Sequence, residues 1–410
     1  MTSIKIRCAI TAFLLDIFSI VFAIICGVIP VHADQSQRFV WVGDSQGATN
    51  GVPITTDVLT PIVDSILALS PAPKVVIFGG DMAHRANITN LNSFKALFTD
   101  RLDAAGIPSA SGVGNHDLYS QSPIALTSEA LTRQQEFHAR FNSSWTQNGP
   151  AGFTNLAFSF HFGNSLFIIA DSYYATANGP EPVYGINQTQ QTWIQGLLKN
   201  NTASHSFVFT HIPAFNPWNP SADANMANTW QTITTSGNAT NTNASMLFTG
   251  HLHLYYRTQR DGVYQVTAGS AGAERNCQDN DGNIHACGPI ESGDVYPTPI
   301  PFNYAVVTIN GREVAVSVLN EVNQSIDMFS YFDYSGVSNT TINNAVAIAP
   351  DPLLNQPTGI LAASNNIITN SASISNVVTG IDAVHNNTIT NSGSITPLSG
   401  GNAIHVYDNN

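Results

Sequence analysis

Five short motifs constrain this chain more than any other feature, because each directly follows an apolar run of strand length. Gly43-Asp44-Ser45-Gln46 follows Phe39-Val40-Trp41-Val42. Gly80-Asp81 ends the run from Val75, with His84 one turn further on. Gly114-Asn115-His116-Asp117 follows a short run from Ser109 to Val113. His211 follows Phe207-Val208-Phe209-Thr210, and Gly250-His251-Leu252-His253 follows Met246 to Thr249. A single Asp after a strand is ordinarily a turn or a helix cap, and a single His there is ordinarily a surface residue. Taken together, five metal-compatible groups fall at C-terminal strand ends, the edge where α/β sheets bind ligands. The glycines let the backbone turn sharply, so that the following side chain can face a shared centre. The remaining alternative is an inactive copy of such a site.

The intervening sequence fits sheets with covering helices. The runs at 39–42, 75–78, 167–170, 207–209 and 246–248 are strand-length, and most are rich in β-branched or aromatic residues. Helical spacing occupies Thr56 to Leu69, Leu91 to Leu102, Ser128 to Phe141 and Thr189 to Leu198. Gly163-Asn164 and Asn310-Gly311 each divide two strand-like segments and predict hairpins. This alternation predicts an α/β domain. Hydrophobic residues at 43% make a packed core feasible. A net charge of −13 argues against binding to a nucleic-acid backbone.

The motif series resembles the calcineurin-like metallophosphoesterase family, which includes the purple acid phosphatases, from Phe39 to about Leu319. The resemblance implies a four-layer sandwich of two mixed β-sheets flanked by helices, with two metal ions at the strand ends. It assigns Asp44 and His253 to the first metal and Asp81 to a bridge between both. Asn115, His211 and His251 go to the second. Gln46 stands where the family usually has a histidine of the first site; an amide oxygen can still ligate a hard cation. His116 matches the residue that contacts the substrate phosphate and leaving group, and Asp117 is expected to orient it. The purple enzymes have a tyrosine where this chain has His84. No purple band is therefore expected, and the metals are expected to be manganese, iron or zinc. Two such cations would suit hydrolysis of a small phosphorylated substrate. They neutralise the ester's charge, and one lowers the pKa of a bound water towards ~7. Tyr173, Tyr174 and the stretch from Asn216 to Trp218 could stack on an aromatic substrate or simply pack.

The ends of the chain read differently. Lys5, Arg7, the apolar run from Cys8 to Val31 and the small-residue site Val31-His32-Ala33 predict a cleaved export signal over residues 1–33. The alternative is an uncleaved anchor. The expected destination is secreted, periplasmic or cell-surface. Membrane association is expected only through an uncleaved signal or a missing C-terminal region. Cys277 and Cys287, the two cysteines beyond the signal, predict one disulfide. The catalytic domain is expected over 34–327 and a linker over 328–358. Over 359–410 lie Asn/Ser/Thr-rich repeats of about 21 residues, NNIITNSASIS from Asn365 and NNTITNSGSIT from Asn386. That tail resembles the repeats of autotransporter passengers and suggests β-solenoid rungs; a flexible polar tail is the alternative. The function expected is an exported, acid-phosphatase-like phosphomonoesterase. The alternatives are a phosphodiesterase acting on nucleotides or phospholipid head groups, and a surface adhesin with a non-catalytic enzyme-like domain.

Overall fold

The computed structural model describes residues 36–410 except 50, 86, 119–126, 143–148, 176–182, 218–225, 235–243, 276–293, 298–299, 337–339, 351–356 and 408–410. The expected export signal, the Cys277–Cys287 disulfide and Trp218 lie outside the described residues.

Two sheets carry the fold. The larger has nine strands in the order β22 (Ile395–Val406), β20 (Ile374–Ala383), β18 (Thr358–Ala362), β16 (Ser325–Tyr334), β15 (Glu313–Leu319), β14 (Tyr304–Asn310), β1 (Gln37–Val42), β4 (Val75–Phe78) and β5 (Ser109–Ser111). The smaller has six: β12 (Tyr255–Arg260), β13 (Val263–Ala268), β11 (Met246–Thr249), β10 (His205–Phe209), β7 (Ser165–Ile169) and β6 (Phe158–Phe162). Both are mixed. β1 pairs parallel with β4 but antiparallel with β14, and β10 pairs parallel with β7 and β11 while β12 returns antiparallel to β13. Both expected hairpins form, at β6–β7 and β14–β15.

Strand alternation sorts the side chains into two cores. Phe39 and Trp41 of β1 face Phe167, Phe207, Phe209 and Phe248 of the smaller sheet. The Phe39 ring lies 4.9 Å from that of Phe207 and 5.0 Å from that of Phe167. Val40 and Val42, on the opposite face, belong to the core beneath the helices. Helix α1 (Thr56–Leu67) buries Val58, Leu59, Ile62, Val63 and Ile66, a stripe at helical spacing. α2 (Ile88–Leu97) starts at Asn87, whose side chain accepts from the Asn90 N–H, and its Phe94 packs 4.5 Å from the Phe78 ring. α3 (Thr99–Ala104) follows at once, α4 (Thr127–Arg140) covers the 116–118 turn, and α5 (Gln188–Lys199) buries Ile194 and Leu198. α6 (Ala227–Ile233) completes the helices among the described residues. None of these is long and apolar enough to cross a membrane.

The C-terminal part is an extra β-rich region. β18, β20 and β22 extend the nine-stranded sheet as parallel strands. β17 (Thr341–Asn344), β19 (Ile367–Asn370) and β21 (Thr388–Asn391) form a second parallel ladder, and the last two pair at the 21-residue offset of the sequence repeat. Ile360, Ile381, Ile368 and Ile374 fill the space between the ladders. Asn344, Asn370 and Asn391 hydrogen-bond in a row at 2.6 Å per step. β16 runs across the boundary expected at 327/328, and β17 lies inside the expected linker.

Phe39 is the hub of the aromatic contacts between the sheets. Phe39→Ala is expected to cost about 3–5 kcal/mol and to lower the urea midpoint; an unchanged midpoint would contradict this packing.

Candidate metal centre

Every strand-end motif delivers its side chain to one place. Asp44 follows β1, Gln46 opens β2 (Gln46–Thr49), Asp81 follows β4, and Asn115 and His116 follow β5. β2 folds back on β3 (Val52–Ile54) as a short ribbon. His211 follows β10, and His251 and His253 follow β11. The gathering requires unusual backbone. Asp44, Asp81, His251 and His253 have positive φ, at 60, 58, 69 and 50°. L-residues adopt this conformation at a cost, and such residues cluster at functional sites. The glycines serve closeness as much as turning. A Cβ on Gly114 would lie 2.2 Å from Asp81 Oδ1, and one on Gly250 2.3 Å from Asp44 Oδ2.

Two clusters result, and they share Asp81. One is Asp81, His211 and His251; the other is Asp44, Asp81 and His253; in each, the potential ligand atoms lie within 4.8 Å of one another. Asn115 joins the first. Its Oδ1 lies 3.1 Å from His211 Nε2 and 2.9 Å from His251 Nδ1. Gln46 joins the second. Its Nε2 donates to Asp81 Oδ2 at 3.0 Å and lies 2.9 Å from His253 Nε2. Backbone carbonyls aim two imidazoles: His211 Nδ1 lies 2.8 Å from Gly79 O, and His253 Nδ1 lies 2.7 Å from Glu274 O. In both rings this turns Nε2 towards the carboxylates, the arrangement that fixes metal-binding histidines.

The electrostatics favour cations. Burial pushes Asp44 well above its ordinary pKa, and the charge of Asp81 adds to this. Burial opposes the charge on Asp81 too, but His211, His116 and His251 override it and hold Asp81 low. Burial likewise works against the charged form of His211, yet Asp81 and Asp44 raise it to about 10. Burial lowers His251 to about 3, with His211 contributing, and lowers His253 to about 4. Asp44 Oδ2 and Gln46 Oε1 are buried without a hydrogen-bond partner. Orphaned buried oxygens are costly, and both belong to the Asp44–Asp81–His253 cluster. A hard or borderline divalent cation fits this oxygen and imidazole donor set.

One expectation is corrected. Asp117 does not orient His116. Its carboxylate accepts from the backbone N–H of Asp81 at 2.8 Å, Gly114 at 2.9 Å and Met82 at 3.0 Å. It sits at the base of the turn, where three N–H groups converge, and therefore positions the loop that carries Asp81. Burial and the Asp81 charge push it up to about 7 against those bonds. His116 is positioned instead by the carbonyl of His84, 2.9 Å from its Nδ1, while the His116 N–H donates to Asp81 Oδ1 at 2.8 Å. Tyr173 and Tyr174 of β8 (Tyr173–Tyr174) are buried, so they pack. The exposed ring beside the site is Tyr184 of β9 (Val183–Tyr184), 6.3 Å from that of His251. No motif marks Tyr184 in the sequence, and the three orienting carbonyls have no side-chain signature at all.

The sequence profile of the calcineurin-like phosphoesterase family matches residues 37–255. No curated protein matches the sequence. Among solved structures, PhoD is similar at 11% identity and a TM-score of 0.50, over 73% of this chain and 70% of that one. GAP50, the anchor in the inner membrane complex of Plasmodium, gives 11% identity and a TM-score of 0.47 over 72% and 87%. A dimetal phosphatase from Danio rerio gives 13% and 0.47 over 71% and 98%. At these identities the likeness is one of fold.

Asp117→Asn places an amide donor against converging N–H groups. It is expected to weaken metal binding by ~10–100-fold in equilibrium dialysis; unchanged affinity would remove Asp117 from this positioning role.

Proposed function

The chain belongs to the calcineurin-like phosphoesterase family, and from that premise we propose that it is a metal-dependent hydrolase of phosphate esters, with monoesters as substrates. The observation that carries the reading is the pair of donor clusters joined through Asp81. Asp44, Gln46 and His253 would hold one cation, Asn115, His211 and His251 the other, and Asp81 both. Such cations, when bound, supply charge neutralisation for the phosphate and a water of lowered pKa.

The remaining chemistry belongs to the chain. The Nδ1 contact with the His84 carbonyl fixes the plane of the His116 ring and leaves Nε2 as the ring atom that donates to the departing alkoxide as general acid. The Asp81 carboxylate, accepting from the His116 N–H, ties that ring's backbone to the donor clusters. Gln46 presents its N–H towards Asp81, so its amide must rotate to offer Oε1 to a cation. A neutral amide in that place favours oxygen-preferring metals such as manganese or iron(II).

The proposal extends to the ends of the chain. Residues 1–33 direct export and are removed. The C-terminal ladders are read as short solenoid rungs, a reading supported by their parallel pairing at the repeat offset.

His116→Ala is expected to cut turnover of p-nitrophenyl phosphate by ~100-fold or more with metal content unchanged; full activity would end the assignment. The substrate class is tested on wild-type protein supplied with manganese, iron or zinc. Activity on the monoester supports the proposal. Activity confined to bis-p-nitrophenyl phosphate makes the chain a diesterase. Activity on neither makes it a binding domain.

A further inference from the structure

The two large sheets face each other through aromatic and aliphatic side chains over most of their width, but at one end that filling stops. There β12, at the edge of the smaller sheet, and β20 and β22, at the edge of the larger, bound a cleft of about 390 Å³. That volume is of ligand size. Gln259 lies on β12, which begins just after His253. At ~3.3 Å per residue, the cleft lies on the order of 20 Å along the strand from the metal centre.

Register explains the change in character. In the parallel ladder, Leu361, Asp382 and His405 occupy one column across β18, β20 and β22. Leu361 belongs to the apolar core between the sheets. The next two positions on that face are an acid and an imidazole. Asp382 is 2% exposed, a poor position for a carboxylate unless its oxygens are bonded. They are. Gln259 Nε2 donates to Oδ2 at 2.6 Å, and His405 Nδ1 lies 2.8 Å from Oδ1. The two lining arginines are also committed to carboxylates, Arg257 to Asp327 and Arg260 to Asp294 in a fork. Charge around the cleft is thus neutralised in pairs. The other polar lining groups include the hydroxyls of Thr379 and Tyr407 and the amide of Asn402. The rings of His405 and Tyr407 meet edge to face at 4.7 Å. Gly401 keeps the wall thin, since a Cβ there would lie 2.2 Å from Val378 O.

This lining selects a ligand by exclusion. An anion needs an uncommitted cation, and both guanidiniums already hold acids. A purely apolar molecule would strip water from the lining amide and hydroxyls without replacing its hydrogen bonds. A neutral polyhydroxylated ring satisfies both demands. Its hydroxyls exchange hydrogen bonds with Asn402 and Thr379 on the cleft wall, while its C–H face packs on the Tyr407 ring. We propose that this cleft is a carbohydrate-binding site seating one or two pyranose units, separate from the metal centre.

The test is isothermal titration of the full chain, metal-loaded, with glucose, galactose, mannose, N-acetylglucosamine, maltose and cellobiose. Saturable binding of at least one sugar is expected. Asn402→Ala should weaken it at least tenfold, with unchanged thermal midpoint and unchanged p-nitrophenyl phosphate turnover, and Tyr407→Ala should weaken it at least tenfold with turnover unchanged. Both positions border the cleft away from the sheet cores, so the variants should fold. Absence of saturable heat with every sugar at millimolar concentration would overturn the proposal. So would sugar binding that both variants leave intact, or saturable binding of inorganic phosphate that Asn402→Ala abolishes.

Discussion

A carboxylate buried away from solvent governs the candidate metal site of this molecule. Asp81 is fully buried, yet it is held ionised because the imidazoles of His211, His116 and His251 surround it. Ions in such surroundings are stable only when opposite charge and hydrogen bonds replace the lost solvent. The rest of the site supplies both. Gln46 and the His116 N–H donate to its two oxygens, and Asp117 braces its own backbone N–H from behind. Asp44 lacks that support on one oxygen, which is why the Asp44–Asp81–His253 cluster is the more demanding of a cation.

The sheets make this convergence possible. Five strands from both sheets end at the same edge, and the aromatic layer between the sheets fixes their spacing. Trp41 links the two functions, because its ring packs near Phe209 and Phe248 while its Nε1 donates to Thr249 O, one residue before the Gly250 turn. A shift in the core is therefore transmitted to the loop bearing His251 and His253. At the far end of the same sandwich the apolar column gives way to Asp382 and His405, so one architecture carries an edge of candidate metal donors and a polar cleft.

Much of this is legible in the chain. The strand runs before Asp44, Asp81, His211 and His251 are apolar and β-branched or aromatic, so local pattern and tertiary role agree there. The donor residues carry their chemistry in their identity. What the sequence hides falls into three kinds. Backbone carbonyls such as Gly79 O and Glu274 O orient histidines without any residue-type signal. Asp117 looks like a partner for its neighbour His116, but a tight turn points its carboxylate back at the N–H groups of Gly114, Asp81 and Met82. Tyr184 approaches His251 from a strand of two residues, too short for any periodicity to read. The 21-residue repeat is visible as letters, yet its meaning depends on register: β18 adds to the sheet beginning at β5, which no local pattern specifies.

The central claim is that two cations share Asp81, and metal content of the Asp81→Asn variant tests it most directly. Elemental analysis after equilibration with manganese should find two equivalents in the wild-type chain and loss of both in the folded variant. Retention of one full equivalent at wild-type affinity would show that the carboxylate serves a single site and would contradict the account.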